Sequence, residues 1–202
     1  SINMTDNQGT LYGLGARNLQ DAFDTRRLAN RLMEITVKDH LSEQVMNYIG
    51  QATYFYLATV DADGFPDVSY KGGIKGFVSV TDNQTLRIPS YDGNGMFRSL
   101  GNVADTGRVA LLFIRQNERA NRMRIHGTAK VVLDPNVVSQ FEGAEAVLEV
   151  SVPRVFPNCP RYVHNLSSGE VSEFAPAPGH TPPEADWKST EDFTDVLPKI
   201  IK

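Results

Sequence analysis

TYFYLATVDADGFPDVSY, residues 53–70, is the stretch that decides the fold. Its first half is rich in aromatic and β-branched residues, which favour extended strands. DADGFP then supplies the aspartate, glycine and proline that are typical of a tight turn, and DVSY continues extended. We therefore predict a β-hairpin, in which the turn at 61–66 joins two antiparallel strands.

The same strand–turn–strand format continues through the middle of the chain. Further strand candidates lie at 76–80, 85–88, 108–114, 122–133 and 146–156, the last interrupted at Pro153. The segment NGMFRSLGNVA, residues 94–104, instead has helical spacing. A parallel sheet would need a helix after nearly every strand, so six or more short strands with one inserted helix predict an antiparallel barrel.

The two ends of the chain differ in residue pattern from this middle part. Residues 17–35 have the apolar spacing of a helix, and a second helix follows with Asp39 as its N-cap and Gly50 as its stop. We expect residues 1–52 to form an arm and helices packed on the barrel, and 53–166 to form the barrel itself. Residues 167–202 should form a proline-rich segment and a C-terminal helix capped by Ser189 or Thr190. Together these parts are expected to make a single domain.

Composition limits the classes of function. The 202 residues carry a net charge of −4 and an isoelectric point near 5.6, which argues against nucleic acid as a partner. Cys159 is the single cysteine, so no disulfide can form within the chain, and we expect a cytoplasmic protein. No signal peptide and no membrane span are expected.

Metal and nucleophile chemistry have little support in the sequence. The four histidines are scattered, and one cysteine cannot build a thiolate zinc cluster, so no metal site is predicted. Cys159 and His164 are five residues apart, an odd offset that points the two side chains to opposite faces of an extended segment. No catalytic residue can be isolated from the pattern.

Polar residues at strand ends are the better candidates for a binding site. Ser69 and Lys71 share one strand face and precede Gly72-Gly73, where a backbone without side chains lets a flat ligand approach closely. The alternative is that these glycines only shape a bulge. Arg122 and Arg124, two residues apart on a later strand, are either a solvated edge or a second basic contribution to the same site.

The stretch RIPSYDGNGMFRS, residues 87–99, predicts an anion site at a helix start. The strand ends with Pro89 and Ser90, Asn94 or Gly95 lies at the helix start, and Arg98 and Ser99 fall in about the first turn. Free amides and the positive end of the helix dipole favour an anion there, and Arg98 adds a full charge. The alternative is a capped helix with Arg98 in solvent. Together these signals indicate a pocket for one phosphate and one planar ring.

The order of these segments resembles the flavin-binding split-barrel family related to pyridoxamine 5′-phosphate oxidase. The matching pieces are FYLATVDADGFPDVS, KGGIKGFV, LRIPSYDGNGMFRSLGNV, GRVALLFI and MRIHGTAKVV, from about 54 to 132. FPNCPRYVH resembles a subgroup with a longer N-terminal arm. The resemblance implies a mainly β fold with flanking helices, a six-stranded antiparallel Greek-key split barrel, and a homodimer with FMN bound between the subunits.

The resemblance also implies roles for particular residues. Those expected along the flavin are Val68, Ser69 and Lys71, and those expected at the ring edge are Ile88, Pro89 and Ser90. Those expected at the phosphate are Asn94, Arg98 and Ser99, completed by Arg124 or Arg161. Trp187 is expected to stack near the flavin ring. In one arrangement this tryptophan belongs to the partner chain.

Two departures from the oxidases proper bear on the substrate. The adjacent Arg-Lys pair that binds the phosphate is missing, and so is the Arg-x-His near the C-terminus that binds the substrate phosphate. The resemblance therefore implies an FMN-dependent oxidoreductase that acts on a small molecule other than pyridoxamine phosphate. Three alternatives remain at this point: a non-catalytic flavin carrier or sensor, a binding module that has lost FMN, and a barrel that holds a deazaflavin or haem.

Overall fold

The computed structural model describes residues 11–115, 121–175 and 177–199. It divides the chain into two compact units. One comprises Ser1–Val37 with Cys159–Lys202, and the other is Lys38–Asn158. The predicted divisions after residues 52 and 166 and the predicted single domain stay predictions.

The described part of the chain holds five α-helices and seven strands. The helices are α1 (Leu14–Ala22), α2 (Arg26–Thr36), α3 (Glu43–Gly50), α4 (Arg98–Thr106) and α5 (Pro135–Val138). The strands are β1 (Tyr54–Val60), β2 (Pro66–Gly72), β3 (Ser79–Asp82), β4 (Thr85–Tyr91), β5 (Arg108–Arg115), β6 (Asn121–Val132) and β7 (Ala144–Asn158). No described helix is long and apolar enough to pass through a membrane.

All seven strands form one antiparallel sheet in the order β2-β1-β5-β6-β7-β4-β3. The prediction of a mainly β, antiparallel split barrel is confirmed, with seven strands in place of six. The strand predicted at 76–80 is present as β3, which has only four residues and pairs with β4 alone. The hairpin predicted at 53–70 is present as β1 and β2, paired from Tyr54–Gly72 to Val60–Pro66.

The core lies on one face of the sheet because side chains alternate along each strand. In β1, Phe55 and Leu57 are fully buried while their neighbours are half-buried. Phe113 of β5 and Ile125 of β6 join them, and the ring of Phe55 stacks on that of Phe113 at a centroid distance of 5.2 Å. This inner face fixes the register, since a one-residue slip would turn every apolar side chain outward.

Strand β7 runs through Pro153, so the prediction of an interruption there is wrong. The β6–β7 register shifts between His126 and Thr128, opposite this proline, and a bulge is where a strand tolerates a residue without an N–H. Gly127 lies at the same shift, and a Cβ there would collide with the carbonyl oxygen of Ser151. The two backbones therefore approach this closely only because residue 127 has no side chain.

The helix preceding β1 begins later than predicted. The side chain of Ser42 caps α3 and accepts a hydrogen bond from the backbone N–H of Val45 at 3.2 Å. Asp39, the predicted cap, instead contacts the ring of His40 at 2.9 Å. A cap must directly precede the first helical residue, and Asp39 is three residues too early.

The other unit departs from the predicted single helix over 17–35. Two helices, α1 and α2, are separated at Asp24, whose φ of 55° is left-handed and cannot continue a right-handed helix. Aspartate is one of the few residues that adopt this conformation readily. In place of a C-terminal α-helix there are two short 3-10 turns, Asp186–Ser189 and Thr194–Val196.

A small apolar cluster holds this unit together. Leu28 of α2 packs with Phe193 and Val196, and Trp187 lies against them with its ring edge-on to Phe193 at 5.2 Å. Arg31 adds an ion pair to Asp195 at 3.1 Å. The C-terminal turns are thus attached to α2 within this unit.

Candidate functional site

A groove of about 590 Å³ opens between β2, the 91–97 loop and the start of α4. The predicted site residues that line it are Ser69, Lys71, Ser90, Asn94, Arg98 and Ser99. All of them belong to the Lys38–Asn158 unit. The fold therefore brings half of the predicted set to one surface.

Strand β2 presents Ser69 and Lys71 to the groove because both lie on the inner face of the sheet. Their partners across the β1–β2 ladder are the buried residues Leu57 and Phe55. The Ser69 hydroxyl oxygen lies 3.1 Å from that of Ser99 on α4, so strand and helix are joined at this point. Placement of the two predicted polar residues on one strand face is confirmed.

The N-terminus of α4 has no side-chain cap. Its first internal hydrogen bond runs from the N–H of Gly101 to the carbonyl of Phe97 at 2.7 Å. The backbone N–H groups of residues 98–100 have no hydrogen-bond partner among the described residues. Unpaired amides and the helix dipole are features that favour an anion at this end of α4.

Phe97 precedes the helix in a left-handed conformation, with φ 50°. A bulky residue with positive φ is unusual and costs free energy, and such residues cluster at ligand sites. The Phe97 ring is 54% exposed, so burial of the ring does not offset the strain.

Asn94 does not start the helix as predicted. It lies four residues before α4, and its side-chain oxygen accepts a hydrogen bond from the N–H of Met96 at 2.9 Å. Gly95 follows with φ 76°, a conformation that glycine adopts without strain. Asn94 therefore shapes the loop that borders the groove, while the helix begins at Arg98.

Buried polar residues that the sequence analysis missed hold α4 in place. The side-chain amide of Asn102 donates to the hydroxyl of Thr59 on β1 at 3.1 Å, and both residues are buried. The Thr106 hydroxyl donates to the carbonyl of Val60 at 2.9 Å. Buried polar groups need partners, so these bonds fix the helix on the strand. The sequence signal for this contact was a polar residue, Asn102, among the apolar positions of the helix.

The charges around the groove have both signs. Lys71 and Arg98 line it together with three carboxylates, Asp67, Asp92 and Glu145. The sequence patterns did not indicate these three residues. Burial holds the pKa of the Lys71 amine below its ordinary value, although the negative charge of Asp67 acts in the opposite direction.

Glu145 reaches the groove because of a second bulge. Ser90 pairs with Ala146 and Tyr91 with Ala144, which leaves Glu145 as the extra residue of β7. Bulges commonly re-aim a side chain beside a functional site. A pairing of this kind could not be foreseen from the sequence of β7.

A smaller cavity of about 250 Å³ adjoins the groove and shares Lys71, Ser90 and Leu100 with it. Ile88 and Pro89, two further predicted residues, line this cavity. Both are buried, and Ile88 packs in the core, so β4 is rigid beside the groove.

Four predicted residues line neither the groove nor the smaller cavity. Val68 and Arg124 lie on the outer face of the sheet, since their neighbours Ser69 and Ile125 face inward. Arg161 and Trp187 belong to the other compact unit. The Nε atom of Arg161 and the Nε1 atom of Trp187 are buried without a hydrogen-bond partner within the described ranges.

No group of three or more histidine, cysteine, aspartate or glutamate residues could hold a metal ion within 11–115, 121–175 and 177–199. A split barrel with a groove suited to an anionic ligand is the class that fold and site define. The chain belongs to the pyridoxamine 5′-phosphate oxidase family, whose sequence profile matches residues 41–158, more than half of the chain.

Solved structures resemble this chain less strongly than the family profile does. HupZ from Group A Streptococcus is 21% identical, with 65% of this chain and 99% of that one covered and a TM-score of 0.47. An FMN-binding protein from Syntrophomonas wolfei is 11% identical, with coverages of 72% and 95% and a TM-score of 0.41. HutZ, a haem storage protein from Vibrio cholerae, is 18% identical, with coverages of 57% and 93% and a TM-score of 0.43.

These TM-scores are below 0.5, so none of the three decides what this chain binds. Among proteins with curated functions, none matches the chain significantly.

Proposed function

We propose that this protein binds FMN in the groove and acts as an oxidoreductase on a small molecule that is not pyridoxamine phosphate. The observation that carries the proposal is the uncapped N-terminus of α4, which opens on the groove beside Arg98. Membership of the pyridoxamine 5′-phosphate oxidase family supports the same ligand class.

The position of Arg98 supports a phosphate there. A positive side chain at a helix N-terminus opposes the helix dipole, at a cost of about 0.3–1 kcal/mol. No carboxylate among the described residues forms an ion pair with Arg98. A bound phosphate would reverse this unfavourable arrangement, since it would meet the guanidinium, the free amides and the Ser99 hydroxyl together.

The rest of the groove fits a planar ring system. Its volume of about 590 Å³ lies within the range of roughly 300–1,000 Å³ that is common for cofactor pockets. Ser69, Lys71 and Ser90 would offer donors to the ring edge, and Pro89 and Ile88 would add apolar surface from the adjoining cavity. Bound FMN would supply hydride or electron transfer. The Lys71 ammonium would stabilise negative charge on the ring, and a catalytic residue stays unassigned.

The carboxylates of the groove support a substrate without phosphate. Asp67, Asp92 and Glu145 outnumber the cations Lys71 and Arg98, and the FMN phosphate would occupy Arg98. A second phosphate would then meet mainly negative groups at short range, which is unfavourable in a partly desolvated site. Contributions from Arg124, Arg161 and Trp187 remain predictions, as does a cytoplasmic location, which the single cysteine supports.

We expect the purified protein to be yellow and to release about one FMN per chain on denaturation, identified by mass spectrometry. Absence of bound flavin, together with no binding in an FMN titration, would contradict the proposal and favour a module that has lost FMN. A released haem or deazaflavin would contradict FMN. Anaerobic reduction by NADH or NADPH separates an oxidoreductase from a flavin carrier, which should not be reduced by either.

We also propose a homodimer through the outer face of β1, β2 and β5. Val68 is 67% and Tyr70 62% exposed, and the Tyr70 ring stacks on Tyr54 at 5.4 Å to form an exposed apolar surface. Sedimentation equilibrium should give a dimer, and Val68→Asp should raise its dissociation constant by about tenfold or more, because a charge would be buried. Leu133→Asp, an exposed position after β6, should leave the dimer intact. A monomeric wild-type protein with FMN bound would refute this interface.

A further inference from the structure

Phe97 combines a strained backbone with an exposed side chain. Phe97 and Asp24 are the two residues other than glycine with a positive φ in the part of the chain that the structure describes. In this left-handed conformation a Cβ crowds the neighbouring carbonyl oxygen, so a bulky residue is rarely found there. Strain of this kind persists where the surrounding structure or a ligand makes use of it. The side chain of Phe97 should therefore have a role.

The course of the backbone alone does not account for a phenylalanine at this position. Gly95, two residues earlier in the same loop, adopts a φ of 76° without any side chain. The carbonyl of Phe97 accepts the hydrogen bond from the N–H of Gly101 at 2.7 Å, and any residue could offer this carbonyl. Glycine at position 97 would thus begin α4 equally well and without strain. The reason for a phenylalanine lies in its ring.

Asp24, by contrast, uses its side chain within its own unit. Its carboxylate accepts a hydrogen bond from the backbone N–H of Lys199 at 2.8 Å and lies 3.7 Å from the guanidinium of Arg27. The Phe97 ring belongs to neither apolar cluster and forms no ring-stacking or cation–π contact with a described residue. The contacts of Asp24 offset its strain, whereas the Phe97 ring has no such partner among the described residues.

The Phe97 ring lines the groove next to the polar start of α4. Met96 beside it also lines the groove and is 65% exposed. Arg98 and Ser99 follow directly with a guanidinium and a hydroxyl. Apolar and aromatic side chains beside a few polar groups are the usual lining of a ligand pocket, and an aromatic ring gains free energy when it packs against a flat apolar surface. Phe97 thus offers an apolar contact directly beside the proposed phosphate site.

We propose that the Phe97 ring packs against the riboflavin part of bound FMN, and that the left-handed backbone at residue 97 holds the ring in place for this contact. The inference rests on the proposed function, because it concerns the same ligand in the same groove. Arg98 and the free amides of α4 would bind the phosphate, and Phe97 would bind the part of the molecule that follows it. Burial of the ring on binding would offset the strain that the free protein carries.

Riboflavin, which lacks the phosphate, separates the contact of Phe97 from that of Arg98. Fluorescence titration of the flavin-free protein measures its affinity beside that of FMN. Phe97→Gly should weaken both ligands by a similar factor of about fivefold or more, because the ring contact is lost in each complex. Arg98→Ala should weaken FMN alone. Phe97→Tyr, which keeps the ring, should stay within about twofold of wild type for both ligands.

The titrations distinguish failure of this inference from failure of the proposed function. If wild type binds both ligands and Phe97→Gly binds them equally well, the inference is overturned and the proposed function stands. Weaker FMN with unchanged riboflavin in that variant would show that residue 97 acts only through the start of α4, and would also overturn the inference. So would a wild type that binds FMN but no riboflavin. A wild type that does not bind FMN would overturn the proposed function and this inference together.

Urea denaturation of the flavin-free protein tests the strain without any ligand. Phe97→Gly should raise the urea midpoint, because relief of strain at a positive φ exceeds the effect of the entropy that glycine adds to the unfolded chain. Phe65→Gly is the matched control, since Phe65 is 72% exposed, has no positive φ and does not line the groove. It should lower the midpoint and leave flavin affinity unchanged. A lower midpoint for Phe97→Gly would show that the ring stabilises the free protein and would refute the inference.

Discussion

Replacing Arg98 with alanine is expected to weaken FMN binding by more than about tenfold, because a hydrogen bond to a charged group contributes about 1.5–3 kcal/mol. Arg98 is exposed at the start of α4 and lines the groove. Fluorescence titration of the flavin-free protein measures the change. Arg108→Ala is the matched control, since Arg108 is also exposed but follows the C-terminal end of α4 and does not line the groove. Equal affinity in wild type and Arg98→Ala would refute the phosphate assignment.

The same substitution should not destabilise the flavin-free protein. Alanine removes a positive charge from the positive end of the helix dipole, so the free energy of unfolding should stay constant or rise by up to about 1 kcal/mol. Urea denaturation of both proteins without FMN measures it. A lower affinity for FMN together with a constant or higher free energy of unfolding would indicate that Arg98 binds the ligand. A large loss of stability would instead indicate a structural role.

Replacing Gly127 with alanine is expected to lower the free energy of unfolding by about 2–3 kcal/mol, the upper part of the range for overpacked sites. The added Cβ would collide with the backbone carbonyl of Ser151, and this backbone cannot move aside as a flexible side chain could. Both strands of the β6–β7 ladder would have to shift at the bulge opposite Pro153. Urea denaturation with a matched thermal melt measures the loss.

Gly101→Ala is the control for that prediction. Gly101 lies inside α4, and a Cβ there meets no atom within 4 Å. Alanine is favoured over glycine in a helix interior by about 1 kcal/mol, so this variant should be more stable than wild type. Equal changes in the free energy of unfolding for the two variants would show that the contact with Ser151 does not determine whether position 127 accepts a side chain.

Local patterns in the sequence identified most of the sheet. The hairpin of β1 and β2 follows from alternation around Asp61–Pro66, where aspartate, glycine and proline favour a turn. Side-chain alternation in a strand has a period of two, so the placement of Ser69 and Lys71 on one face was also predictable. The strand predicted at 76–80 is present as β3 at Ser79–Asp82, shifted along the chain because so short a run carries too little pattern to fix its ends.

Helix ends were less predictable because they depend on single residues. Asp24 adopts φ 55° and divides the predicted 17–35 helix, although its neighbours keep helical spacing. Ser42 rather than Asp39 caps α3. In both places several residues could locally serve as a stop or a cap, and the packing of the helix selects one.

The sequence by itself determined the family to which the pattern belongs, and it supplied the candidate residues for binding an anion and a flat ring. It determined this because residue type, strand alternation and the order of segments are local properties. The tertiary structure decided that Ser69 meets Ser99 at 3.1 Å and that the amides at the start of α4 are unpaired. It also decided that a bulge turns Glu145 into the groove. These features depend on pairing between segments far apart in the chain, whose register is set by how the whole core packs.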